Sequence, residues 1–181
     1  LYTLLMLGAY AGMRLKDAAL LRWSSVDLSH GMIEYRPHKT RRRNKVATVP
    51  ITSDLLKALR GLDTSTVHVL PRIVDLYQNR YDYFKKSLVE VIRTVSPDQD
   101  HKGTMQKKQT RTAAGFHALR HYFCSTCANK GIPAAQLERM TGDQAKTLGK
   151  YYIKGEVEAS AVSAALTAPR KQEPEREQLH C

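Results

Sequence analysis

The side chains able to do chemistry fall into three short islands. Arg14 stands in Gly12-Met13-Arg14-Leu15-Lys16-Asp17, and His117 and Arg120 stand in Phe116-His117-Ala118-Leu119-Arg120-His121. Two adjacent tyrosines close the third, which runs from Thr141-Gly142-Asp143 to Lys150-Tyr151-Tyr152. Guanidiniums grip phosphate oxygens bidentately and stay charged at any working pH. Arginines gathered with an imidazole and a phenol therefore suit an anionic phosphate ester. Metal-assisted phosphate chemistry calls instead for clustered carboxylates; the acids here are scattered, and no metal is expected. Cys124-Ser125-Thr126-Cys127 is a C-x-x-C string, but it lies in a helical pattern and no second ligand pair follows at zinc spacing, so both cysteines read as small core residues.

The whole chain favours the same kind of partner. Its 181 residues suit one domain with a real core. Twenty-nine Lys and Arg against seventeen Asp and Glu leave a formal charge of +12, and such an excess draws a polyanion through counterion release. Two basic stretches would carry most phosphate contacts: Lys39 to Lys45, with Arg41, Arg42 and Arg43 in its middle, and a loop holding Lys102, Lys107, Lys108 and Arg111. Contacts of this sort position a duplex without reading its sequence. An odd, sparse set of three cysteines fits a reducing compartment. No stretch approaches the roughly 20 apolar residues that cross a bilayer, so an intracellular protein with no membrane partner is expected.

These islands must be placed by the elements between them. Residues 1–12 are apolar and helical, Gly12 breaks them, and a second helix carries Leu15, Ala18, Ala19 and Trp23 on one face, with Arg14 at the junction. Gly31 to Arg36 and Val46 to Ile51 are β-prone runs flanking the basic tip, a hairpin whose second strand is an edge or ends at Pro50. Ser53 is read as the cap of a helix to about Leu62 with Leu55, Leu56 and Leu59 inward, and one long helix is read from about Leu76 to Val95. Ser96 to Thr112 has no apolar period and reads as a flexible basic loop. Further helices are expected from Phe116 to Asn129, from Pro133 to Thr141 and from about Lys146 to Tyr152. Ala159 to Leu166 is apolar, and residues 169–181 form a charged tail expected to be disordered.

In order and spacing the three islands, with the basic hairpin between the first two, resemble the active-site boxes of tyrosine recombinases of the phage-integrase kind, over residues 1 to about 155. The resemblance implies an α+β, mainly α-helical catalytic domain over residues 1–168, with a small antiparallel β-hairpin or sheet at one edge. It also implies that the chain is a piece of a longer protein whose N-terminal core-binding domain is missing. The activity implied is DNA integration or recombination, by cleavage and rejoining through a 3′-phosphotyrosine. Duplex DNA is the partner and no cofactor is needed. A tetramer on DNA is expected, with a monomer open for the isolated fragment, in the cytoplasm of a bacterium or from a phage or other mobile element.

Carried over residue by residue, Arg14 resembles the first arginine and Asp17 the acidic residue that braces it. Lys39 resembles the hairpin lysine, with Lys45 a rival, and His117 and Arg120 resemble the H-x-x-R pair. Asp143 falls where most members have histidine or tryptophan, which leaves its role open. The nucleophile usually lies nine residues beyond that position, which is Tyr152; Tyr151 is the alternative if the turn is one residue shorter. By that resemblance Arg14 and Arg120 would neutralise the transition-state phosphate, His117 would take or share the phenolic proton, and Lys39 would protonate the leaving 5′ oxygen. Ala159 to Leu166 resembles the segment that docks on a neighbouring protomer, or else packs on its own domain. Two other readings remain: a DNA-binding relative with impaired catalysis, which Asp143 motivates, and a type IB topoisomerase.

Overall fold

The computed structural model describes residues 1–95 and 115–151, without the side chains of 41–43, 93–95, 150 and 151. The basic loop, the Ala159 to Leu166 stretch and the charged tail lie outside the described residues.

Helix α1, Tyr2–Tyr10, is apolar around most of its circumference and buries Leu4, Met6 and Leu7, as a helix enclosed on several sides must. It packs on α6, Phe116–Asn129, and on α3, Ser53–Arg60. Helix α2, Leu15–Ala19, is shorter than the periodicity suggests. After Leu20 the chain pairs with the 67–69 segment: Trp23 N–H donates to the Val67 carbonyl and Val69 N–H to the Leu21 carbonyl, and this ladder diverts the backbone before Trp23. Trp23–Ser25 is a separate 3₁₀ turn.

The sheet is antiparallel with strand order β1-β2-β3, formed by Val26–Asp27, Met32–Tyr35 and Ala47–Pro50. β1 is too short to give a sequence period, and it is the one strand not foreseen. β3 is an edge strand that ends at Pro50, as a residue without an N–H requires. Within the basic tip, His38–Arg43 forms a 3₁₀ helix.

Two further helix boundaries differ from expectation. Thr52, not Ser53, caps α3, its hydroxyl accepting from Leu55 N–H at 3.4 Å; both residues have the right chemistry, and only geometry selects one. The long helix is two: α4, Pro71–Asn79, and α5, Tyr81–Val95. The break falls at Arg80, whose φ of −139° and ψ of 43° leave the helical region. Tyr77 meets Tyr81 and Phe84 edge-on at 5.3 and 6.3 Å across that corner. The apolar period thus runs on through a bend that the backbone does not follow.

Helix α6 is followed by Gly131 in the left-handed region, then by α7, Ala134–Thr141, and α8, Ala145–Tyr151. α7 lies against β3 and against α8. Cys124 and Cys127 are buried, unbonded thiols on α6, and burial pushes Cys124 up to about 11, where it stays a neutral core group. Among the described residues no helix is long and apolar enough to cross a membrane.

Candidate active site

The arginine of the first island is aimed by the break before it. Gly12 has a φ of +61°, which a residue without a Cβ adopts freely. A Cβ there would lie 2.4 Å from the Phe123 ring of α6, so the tight turn also depends on close approach. The chain then passes through fully buried Met13 to Arg14, the extended residue that opens α2.

Arg120 lies on α6 with its side chain completely buried. Its Nη1 donates to the Gly12 carbonyl, and its Nη2 donates to the Thr141 carbonyl at 3.1 Å and to Asp143 Oδ2 at 2.6 Å. Three stretches of chain therefore meet on one guanidinium. Burial opposes that charge, and the Asp143 carboxylate outweighs it, raising the affinity of Arg120 for its proton. Arg14 completes the group: its Nη2 donates to Asp143 Oδ1. One carboxylate thus spans two guanidiniums, one oxygen on each. Asp143 is held in place from behind, since its N–H donates to the Thr141 hydroxyl at 3.3 Å and that hydroxyl donates to the Leu137 carbonyl at 2.7 Å. Gly142, at φ +69°, caps α7 and lies so close to Pro37 that a Cβ would meet its ring carbon at 2.8 Å, which joins the Asp143 turn to the hairpin.

Asp17 is buried, but its main partner is not Arg14. Its Oδ1 accepts the backbone N–H of His38 at 2.9 Å and lies 2.9 Å from His38 Nδ1, which must carry the proton to meet a carboxylate. Its Oδ2 is 4.0 Å from Arg14 Nη1, and neither atom has a hydrogen-bond partner among the described residues. Asp17 therefore ties the start of the 3₁₀ tip to α2, and Lys39 is the next residue along. Lys39 is exposed, whereas its rival Lys45 is paired with Glu138 of α7, which also accepts Ala145 N–H at 3.1 Å.

His117 sits at the start of α6, exposed, with its ring edge-on to His121 at 4.8 Å between centroids. Desolvation lowers its proton affinity first, then the His121, Arg120 and Arg14 charges, against a smaller opposing pull from Asp143. Four foreseen residues, Arg14, Arg120, Asp17 and Asp143, are thus linked through hydrogen bonds or close charge pairs, and His117 lies in their field. Tyr151 and Arg41 to Arg43 are placed only as backbone, and Tyr152, Lys102, Lys107, Lys108 and Arg111 lie outside the described residues.

Three contributors have no warning in the sequence. His38 takes the carboxylate expected to serve Arg14, and the Thr141 hydroxyl sets the Asp143 backbone. Tyr35, on β2, buries a phenol in the field of Arg120, Asp17 and Arg14, and burial pushes it up to about 12. An alternating strand pattern marks Tyr35 as inward-facing and says nothing of what it faces.

The sequence pattern of the phage integrase family matches residues 1–158. The chain belongs to the phage integrase family. Solved structures agree with this integrase-family assignment at the level of the fold. XerA recombinase superposes with a TM-score of 0.60 at 21% identity, over 93% of this chain and 58% of that one. The Tn1549 transposon integrase in complex with transposon right end DNA gives 0.61 at 16%, over 93% and 59%. The catalytic domain of bacteriophage HP1 integrase gives 0.57 at 19%, over 93% and 82%. The integrase-family chain thus spans about three-fifths of the first two solved chains and has the tyrosine recombinase catalytic fold. No curated protein sequence matches it closely enough to count as a relative.

Proposed function

We propose that this domain cleaves and rejoins duplex DNA at specific sites through a 3′-phosphotyrosine. One observation carries the reading: guanidiniums that begin on α2 and α6 converge on a single two-oxygen anion. The carboxylate of Asp143 stands in for two non-bridging oxygens of a phosphodiester. Donors fixed in advance on such oxygens stabilise the charge that grows there in the transition state.

In this reading the Tyr152 oxygen attacks phosphorus, and its proton is accepted by His117 as the phosphorus–oxygen bond forms. The bond from phosphorus to the 5′ oxygen breaks, and Lys39 protonates that oxygen. A 5′ hydroxyl of another strand reverses the step, giving its proton back as phenol is released. The bond energy is kept in the phosphotyrosine, so no nucleotide is consumed. Tyr151 is the rival nucleophile. Basic residues Arg41 to Arg43, Lys102, Lys107, Lys108 and Arg111 would hold the backbone of the duplex.

A nicked suicide substrate tests this, because the nick releases the leaving strand and traps the covalent adduct on a denaturing gel. An adduct is expected from the native chain, lost in Tyr152→Phe and kept in Tyr151→Phe. The opposite pattern moves the nucleophile by one residue. No adduct from the native chain, with DNA still bound, favours the second reading, a binding relative with impaired catalysis; the observation behind it is that Asp143 closes the arginine pair.

The depressed proton affinity of His117 fixes a pH dependence. Its ring is neutral at pH 7 and can accept a proton. Adduct formation is expected to hold as pH falls through 6.5, the ordinary histidine value, and to decline only below it. Stability moves in the same sense. His117 and His121 both bind protons less readily when folded, so between their lowered values and 6.5 the unfolded chain takes up more protons. The contribution of these two rings to folding stability is present above 6.5 and is lost as pH drops below it. Urea titrations across that range check this, and His117→Gln should flatten part of the slope; an unchanged slope would show that the ring is not desolvated by the fold.

A further inference from the structure

We infer that Asp143 is a built-in competitor for the phosphate site: its carboxylate closes the arginine pair in the DNA-free protein and is displaced by an entering tetrahedral oxyanion. The inference rests on the proposed role of Arg14 and Arg120, and it adds that the free enzyme holds those residues in an occupied state.

Three features lead there. First, the two carboxylate oxygens use the same guanidinium donors that a phosphate would use, Arg14 Nη2 and Arg120 Nη2. Two anions do not share one such cradle, because like charges at contact repel strongly. Second, the carboxylate leaves donors over. Arg14 Nη1 and Arg120 Nε are buried with no partner among the described residues. A carboxylate brings two acceptor oxygens, and a phosphate brings more. The oxyanion therefore offers what the internal ligand lacks, which makes exchange in its favour physically reasonable. Third, Asp143 has somewhere to go. It lies between α7 and α8 with its side chain 14% exposed, while Arg120 behind it is sealed from solvent. Its backbone is held by Thr141, so the inferred displacement is a rotation of the side chain alone.

This arrangement does two things for the free protein. It compensates a fully buried arginine that would otherwise be an unpaired charge. It also raises the threshold for stray anions, because any oxyanion must first displace a tethered carboxylate whose local concentration is high.

Inorganic phosphate is the probe. Titrated calorimetrically into the native chain and into Asp143→Asn, it is expected to bind the variant at least about tenfold more tightly, since the neutral amide no longer competes. The variant should also melt lower than the native chain without phosphate and recover when phosphate is added. Equal or weaker phosphate binding by Asp143→Asn would overturn the inference and make Asp143 an organiser of the arginines instead. If that variant does not fold, a crystal structure of the native chain soaked in phosphate decides: an oxyanion on both guanidiniums with Asp143 rotated away supports the inference, and a carboxylate still bridging both overturns it. The suicide-substrate assay reports separately. Adduct formation without a phosphate effect refutes only the competitor role; a phosphate effect without any adduct refutes only the cleavage reading.

Discussion

Arg120→Ala is expected both to destabilise the domain and to abolish strand cleavage. The guanidinium is fully buried and ties the Gly12 carbonyl, the Thr141 carbonyl and the Asp143 carboxylate together. Its removal strands two buried carbonyls and a charged oxygen and empties a fully buried side-chain volume. Breaking one partner out of a buried charge pair costs about 3–5 kcal/mol. That is a large part of the roughly 5–15 kcal/mol that holds a typical domain folded. Arg120→Lys keeps the charge but loses the planar fork that three acceptors need, so it should recover part of the stability and little of the cleavage. Arg14→Ala provides the contrast: that side chain is 16% exposed and, among the described residues, its one hydrogen bond is to Asp143. It should leave urea stability close to native while adduct formation falls by about two to three orders of magnitude, the usual effect of losing one transition-state donor. A native urea midpoint for Arg120→Ala would remove the structural part of this account, and equal losses of DNA binding and cleavage in Arg14→Ala would remove the catalytic part.

Gly12→Ala should be the most damaging single-methyl change near the site. The left-handed φ of +61° alone costs an L-residue about 1–2 kcal/mol. The added Cβ would also sit 2.4 Å from Phe123 Cδ1 and 2.8 Å from Cε1, and Phe123 is a core residue only 6% exposed. Overpacking of this kind adds about 1–3 kcal/mol. Relief by tilting α6 would move His117 and Arg120 together, so cleavage should fall further than stability alone explains. Gly131→Ala separates the two effects, because φ there is +80° yet nothing lies within 4 Å of a Cβ. It should show the backbone cost without the clash and retain cleavage. Thermal melts of the two variants check this; equal losses would mean that the Phe123 contact yields without cost.

Much of the architecture is local enough to be read from residue order. The three islands name their own chemistry, because the functional group of an arginine, a histidine or a tyrosine is set by residue type, while the fold adjusts its proton affinity. Helices α1, α3, α6 and α7 follow from apolar spacing and from Gly131, Pro133 and Gly142, and the hairpin follows from two β-prone runs flanking a basic tip. Those signals span at most a few turns of chain, which is the range over which backbone preference acts.

What periodicity missed has a common cause. The bend at Arg80 is invisible because Tyr77, Tyr81 and Phe84 keep their apolar spacing across it, and α2 stops early because residues 21–23 find ladder partners at 67–69. Charge partners are further still from view. The family resemblance made Asp17 a brace for Arg14, whose Nη1 lies 4.0 Å from its Oδ2, and the fold also brings His38 onto the other carboxylate oxygen. Lys39 and Lys45 look alike in the tip, and the fold distinguishes them by setting Glu138 against Lys45. Asp143 is an odd substitution until Arg14 and Arg120 arrive on either side of it. The amino-acid order thus determined which groups are charged, which faces are apolar and where the chain turns. Tertiary structure alone decided which charges meet, because a pairing depends on separation in space and on exclusion of water, and neither is a property of any one segment.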